Sequence, residues 1–274
     1  MDRVRVAAAV LVAVLAGCTL PGGQPTETVT PVDIGDDSPP GVSIRTDSID
    51  IDRLLDAHER VLANQSYTLQ VDRIERASGQ KVGRLSIAGE FGADSEAYLL
   101  DIRARGRPSA YRWGQRSTYW AGGNRSVVAR QYANTTWYHF VEPSRATLPI
   151  EATRRSRIAG ALSETTVTTI ESTPDGVTIE ARADRAGGGL TNLWSGTTIR
   201  SASVVIDVAT SGLIRSYEIE YTIVEDEGDR TRIHETATID GVGSTTVPRP
   251  EWVNRTLASG RYPPPTINRE RPGY

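Results

Sequence analysis

The sequence predicts a mainly β, α+β fold. It is a single, strongly curved antiparallel sheet of about eleven strands, with an N-terminal helix and a central helix on its concave face. Three observations lead there. From Ser66 onward apolar and polar residues alternate with the period of two that turns one strand face inward, first as Tyr67, Leu69 and Val71 against Thr68, Gln70 and Asp72. Turn signals rich in Gly, Pro, Asn, Asp and Ser recur at the spacing of antiparallel hairpins. So many strands cannot lie in a flat open sheet without curling.

The elements follow in chain order. Arg3 and Arg5 precede an apolar run, Val6–Ala16, of 11 residues. A membrane span needs ~20, so residues 1–17 are expected to be a signal peptide. The run ends in Leu15-Ala16-Gly17-Cys18, which has the form of a lipobox, and Cys18 is the only cysteine. Cys18 is the candidate lipidation site; a pair of lipid chains is enough for stable anchoring. The expected location is extracytoplasmic, on the outer face of the cell membrane. Residues 18–46 would form the lipidated N-terminus and a linker, being rich in Thr, Pro, Gly, Asp and Ser.

The folded body is expected at residues 47–258. A helix should begin near Asp47 or Ser48 and end near Asn64, with Ile51, Leu54, Leu55, His58 and Leu62 on one face. Strands are predicted at Val82–Phe91, Tyr98–Arg105, Ser117–Ala121, Val127–Tyr132 and Trp137–Val141. A second series is predicted at Thr165–Ser172, Val177–Ala183, Ser203–Val208, Leu213–Val224 and Thr231–Asp240. Between the two series, Ile150–Leu162 should be helical with Ile158, Ala161 and Leu162 inward. Leu190–Trp194 is expected to be a short helical turn. The tail, residues 259–274, contains Pro263-Pro264-Pro265 and Pro272 and is expected to be extended or disordered.

Composition narrows the function classes. The net charge is −3, and removing residues 1–17 makes it −4, so a nucleic-acid partner is not expected. No stretch after residue 17 is long and apolar enough to span a bilayer. With one cysteine there is no intrachain disulfide, and a hydrophobic core must supply the stability. Lys81 is the only lysine among 31 basic residues. That bias, with abundant Thr, Asp, Ala and Gly, hints at a halophilic archaeal origin.

The lipobox, the linker, the helix Asp52-Arg53-Leu54-Leu55-Asp56-Ala57-His58 and the following Asn64-Gln65-Ser66-Tyr67-Thr68 resemble lipoproteins of halophilic archaea. Ser203–Tyr221, a strand, a Thr-Ser-Gly-Leu turn and a long strand, is similar to a late hairpin of that family. The element order over residues 48–245 also resembles the periplasmic lipoprotein-carrier (LolA/LppX-like) half-barrel. That resemblance implies an apolar cavity holding a lipid or acyl chain.

Catalytic and metal motifs are not found. There is no G-x-S-x-G, no phosphate-binding G-x-x-x-x-G-K-[ST] and no H-E-x-x-H. His139 and His234 lack zinc spacing, and the acidic turn Asp226–Asp229 lacks the EF-hand pattern. The expectation is a non-enzyme without cofactor or metal. His58, on the apolar helix face, is assigned to core packing ahead of a polar role in a cavity.

Eight of the 17 aromatic residues fall within 111–140. From them Trp113, Tyr119, Trp120, Tyr132 and Trp137 are the candidates for a hydrophobic-ligand site, although the same rings could fill the core. Arg103, Arg105 and Arg107 alternate on one strand face, as a solvated face or as a site for an anionic lipid headgroup at a cavity mouth. Asn64, Asn124, Asn134 and Asn254 open N-x-[ST] sequons and are candidate glycosylation sites. The leading function is a membrane-anchored binder of a hydrophobic ligand. The alternative is a non-catalytic surface module with a filled core.

Overall fold

Strand after strand, the period-two pattern becomes a dry inner face and a wet outer face. The computed structural model describes residues 38–93, 97–106, 116–123, 125–132, 134–141, 150–186, 198–224, 229–259 and 266–267. The chain opens with a small two-stranded ladder, β1 (Val42–Ser43) and β2 (Ser48–Ile49), joined by a 3-10 turn over Ile44–Thr46. Val42 lies inside the stretch expected as linker, and it is buried in the core.

Helix α1 spans Ile51–Leu62. Its N-cap is Asp50, whose Oδ1 accepts from the Arg53 N–H at 3.1 Å. Such a cap satisfies one of the donors left open in the first turn. Leu54, Leu55, Ala57, His58 and Leu62 are buried, close to the face the sequence predicts.

Six strands follow as a meander: β3 (Tyr67–Ala77), β4 (Gln80–Phe91), β5 (Tyr98–Gly106), β6 (Arg116–Gly122), β7 (Arg125–Tyr132) and β8 (Thr135–Val141). The tight β3–β4 turn uses Ser78 and Gly79, both at positive φ (50° and 76°). That pair of angles matches the twist of a two-residue hairpin.

Helix α2 (Arg155–Ser163) carries the chain to the far edge of the sheet. There a second meander begins, made of β9 (Thr166–Thr173), β10 (Gly176–Ala183), β11 (Thr198–Ala209), β12 (Ile214–Val224) and β13 (Arg230–Asp240). It returns to the centre, where β13 pairs antiparallel with β3, opposing Val71 to Ala237 and Arg73 to Glu235. Helix α3 (Glu251–Ser259) and the two-residue strand β14 (Thr266–Ile267) end the described chain, with β14 adding to β8.

The strand order is β14-β8-β7-β6-β5-β4-β3-β13-β12-β11-β10-β9. Among the described residues the edges do not pair with each other, so the sheet stays open as a half-barrel of eleven full strands plus one short one. The expected fold class is the observed one. Element ends shift by one to five residues, β11 being longer at its start than predicted. Leu190–Trp194 lies outside the described residues.

The core is the inner face closed by two helices. Leu54, Leu55 and Leu62 of α1 and Ile158, Ala161 and Leu162 of α2 join one cluster with Leu69, Val71, Ile87, Ile102, Ile179, Val204 and Ile219. Gly212, in the β11–β12 turn at φ +87°, lies under α1, where a Cβ would sit 2.6 Å from that of Ala57. Glycine there allows both the left-handed turn and the close approach.

Helix α3 is a finding the sequence reading did not anticipate. It lies on the outer face, where Val253, Trp252 and Leu257 pack with Trp120, Val127 and Leu99. The signal was present: Pro248 and Pro250 precede a first turn with Glu251, and Val253 and Leu257 share a face at i and i+4.

Candidate functional site

The inner face is apolar at its centre and carries two kinds of side chain that an apolar core does not need. Through the cross-strand register, one row runs Trp137, Arg130, Ser117, Ile102, Ile87, Val71, Ala237 and Tyr217. The adjacent row brings Leu85, Arg73, Glu235 and Ile219 together.

At the β7–β8 edge the inner face is aromatic and accessible. Trp137 stands opposite Arg130, and Tyr132 is its diagonal neighbour on β7, a separation that large rings can bridge. Trp137 is 45% exposed and Tyr132 44%, whereas Tyr119 and Val128 further along the same face are buried.

The five sequence candidates therefore separate. Tyr119, Tyr132 and Trp137 share the inner face. Trp120 points the other way and is buried against α3, with Arg249 over its ring at 5.3 Å. The sequence could not separate Tyr119 from Trp120, because adjacent residues on a strand face opposite sides and both are apolar. Trp113 lies outside the described residues, as do Cys18 and Asn124. Of the other sequons, Asn64, Asn134 and Asn254 are exposed, Asn134 at the tip of the β7–β8 hairpin.

Under α2 the inner face is polar and buried. Glu235 accepts from Tyr217 OH at 2.8 Å, from Arg154 Nη2 at 2.9 Å and from Arg157 Nε at 3.2 Å. Arg154 Nε also donates to the Tyr217 oxygen at 3.0 Å, and Arg157 lies 5.3 Å over the Tyr221 ring. Beside them Arg73 pairs with Glu75 at 3.1 Å. Burial opposes the charge of Glu235, but Arg157, Arg154 and Arg73 outweigh it and hold the carboxyl at about 2. Burial pushes the Tyr217 phenol well above its usual value, so it stays protonated and donates. The arrangement ties the start of α2 to β12 and β13.

A second tie runs through His58, fully buried on α1. Its Nδ1 accepts from the Ile214 N–H at 3.1 Å, which leaves the proton on Nε2 to donate to the Thr153 carbonyl at 2.9 Å. Burial holds the imidazole below its usual pKa. Of the two sequence readings of His58 the structure shows the core-packing one: the fully buried ring hydrogen-bonds backbone groups and ties α1 to β12 and to the turn before α2. Sequence reasoning did not find the Glu235 cluster. Arg73, Glu75 and Glu235 occupy apolar-phase positions of their strands, and that phase was the available signal.

Among the described residues no three His, Cys, Asp or Glu side chains cluster as a metal site requires. None of the described helices is long and apolar enough to cross a membrane.

A family model matches residues 3–256. The chain belongs to DUF7537, a family of unknown function. No curated protein matches this DUF7537 chain. Among solved structures it is similar to the crystal structure of a LolA superfamily protein from Nitrosomonas europaea. The identity is 9%, the TM-score 0.26, and the match covers 73% of this chain and 96% of that one. The half-barrel itself rests on the strand order.

Proposed function

We propose that this protein is a membrane-anchored extracytoplasmic lipoprotein, non-catalytic, that binds a hydrophobic ligand at the β7–β8 edge of its inner face. The observation that carries the ligand reading is the half-exposed pair Trp137 and Tyr132 on the same face as the buried Tyr119 and Val128. Rings with an apolar body and a polar tip suit an acyl or isoprenoid chain ending in a polar group. The anchor reading is supported by Leu15–Cys18 and the apolar run before it.

Two experiments test these parts separately. Wild type should bind a fluorescent fatty acid, and Trp137→Ala should weaken that binding about tenfold, the loss of one well-packed aromatic contact. Stability should change little, since the ring is half exposed. For the anchor, wild type should partition into detergent and Cys18→Ser should not; equal partitioning would remove it.

The filled core under α1 and α2 favours a second reading, a surface module that works through protein contacts. It predicts no fatty-acid binding by wild type at any concentration that leaves the fold intact. If the chain is exported, Asn134 is the sequon best placed for a glycan, and intact-mass measurement of native protein should show added hexose mass that Asn134→Gln removes.

A further inference from the structure

The arginines at one end of the outer face are arranged differently from a solvated, charge-balanced strand surface. A groove crosses the outer faces of β3, β4, β5 and β13, and Asp72, Arg84, Ser86, Asp101, Arg103 and Arg105 help to line it. Asp101 is shared. Arg103 reaches it through Nε and Nη2 at 3.3 and 3.1 Å, and Arg116 reaches it from β6 through Nε at 3.2 Å. Arg84 grips Asp72 with the same two-pronged geometry.

The acids lie lower than the arginines. Asp101 and Asp72 side chains are 18% and 35% exposed, against 60%, 45% and 44% for Arg103, Arg116 and Arg84. Arg105 is exposed and makes no ion pair among the described residues. Four guanidinium groups over two carboxylates leave an excess of positive charge on a chain whose net charge is −3.

The recessed carboxylates orient the arginines, and each paired guanidinium has N–H donors left over on an exposed side chain. Exposed guanidinium forks match the geometry of phosphate oxygens. On β13, the next outer face, Thr236 and Thr238 line the groove and add no opposing charge. One strand beyond, Glu218 and Glu220 are engaged by His234 and Arg232.

We propose that this outer groove is a docking site for the phosphate headgroups of an anionic membrane, with Arg84, Arg103, Arg105 and Arg116 as its contacts. The sequence offered Arg103, Arg105 and Arg107 as a solvated face or as a headgroup site at a cavity mouth; Arg107 lies outside the described residues, and the register puts Arg103 and Arg105 on the opposite side of the sheet from Trp137. The proposal extends the membrane-anchored reading, which a lipid on Cys18 would satisfy by itself. The test therefore uses the full chain carrying Cys18→Ser, so that vesicle binding reports the groove alone and detergent partitioning of wild type reports the anchor.

Co-sedimentation at low ionic strength would compare vesicles of phosphatidylcholine with vesicles also containing phosphatidylglycerol. Binding to the anionic vesicles should be about tenfold tighter and should weaken as salt rises. Arg105→Glu, which breaks no ion pair among the described residues, and the double variant R103A/R105A should each remove most of that preference. Arg182→Ala, an exposed arginine on the outer face of β10, should keep it. Equal binding to both vesicle types, or an equal loss in the Arg182→Ala control, overturns the proposal. Complete displacement by inorganic phosphate at low concentration also overturns it, by making free phosphate the ligand.

Discussion

His58 shows how much one side chain can set. A helix-face histidine in an apolar stripe is a polar group at a buried position, which is stable only if both ring nitrogens find partners. Here they do, on two other elements. His58→Phe keeps an aromatic ring but leaves the Thr153 carbonyl and Ile214 N–H without their His58 partner. The expected cost is ~1–3 kcal/mol for each buried group left open, measured by urea unfolding. The pH dependence has a definite sign. The unfolded imidazole titrates near 6.5 and the folded one lower. Between those values the unfolded chain binds more protons, so stability is full above 6.5 and falls as the pH drops. His58→Gln should flatten that slope.

At the scale of elements, helix packing is decided by what lies at the inward positions of the strands beneath. Helix α2 follows Arg154, its N-cap residue, left-handed at φ 60°, and is held by Arg154 and Arg157 on Glu235. Glu235→Ala removes the shared partner of two buried guanidinium groups and should cost ~3–5 kcal/mol. Helix α3 is held differently, by aromatic packing on the outer face. Trp120→Ala should therefore behave as a core substitution, costing ~3–5 kcal/mol by chemical unfolding and leaving fatty-acid binding by the inner face unaltered. Paired with Trp137→Ala, which should do the reverse, it separates the two faces of the sheet. A Trp120→Ala protein of wild-type stability would show that α3 does not hold the outer face as described.

The whole molecule is two meanders joined at β3 and β13, and its acid stability should reflect both buried ties. Glu235 is held at about 2 against an ordinary 4.5. Its contribution is present above 4.5 and is lost as the pH falls through about 2, because the unfolded state takes up the proton first. Melting temperature should thus decline below pH 6.5 as His58 charges in the unfolded chain, and again below 4.5. Glu235→Gln should make the second decline shallower, Asp101 keeping a share because, against its burial, Arg103 and Arg116 hold it low, and should spare the first. A single decline in wild type would mean that the two ties do not act independently.

By itself the sequence determined the class of fold, the eleven long strands, both inner helices and their buried faces. These follow from local periodicity: a strand or helix with one apolar side must cover it, and an eleven-strand sheet must curl to do so. The sequence also marked Cys18 as a candidate lipidation site and picked out the aromatic stretch at 111–140. What only the tertiary structure decided was placement across the chain. Tyr119 and Trp120 look alike in sequence and ended on opposite faces. Arg103 and Arg105 were legible as a stripe, but the side of the sheet they occupy depends on the register that β5 shares with β4 and β6. Glu235 finds Arg154 and Arg157 from 78 to 81 positions away, a separation no local pattern encodes. Helix α3 was readable from its prolines and spacing, but its docking site on Trp120 existed only once β6 and β7 had paired.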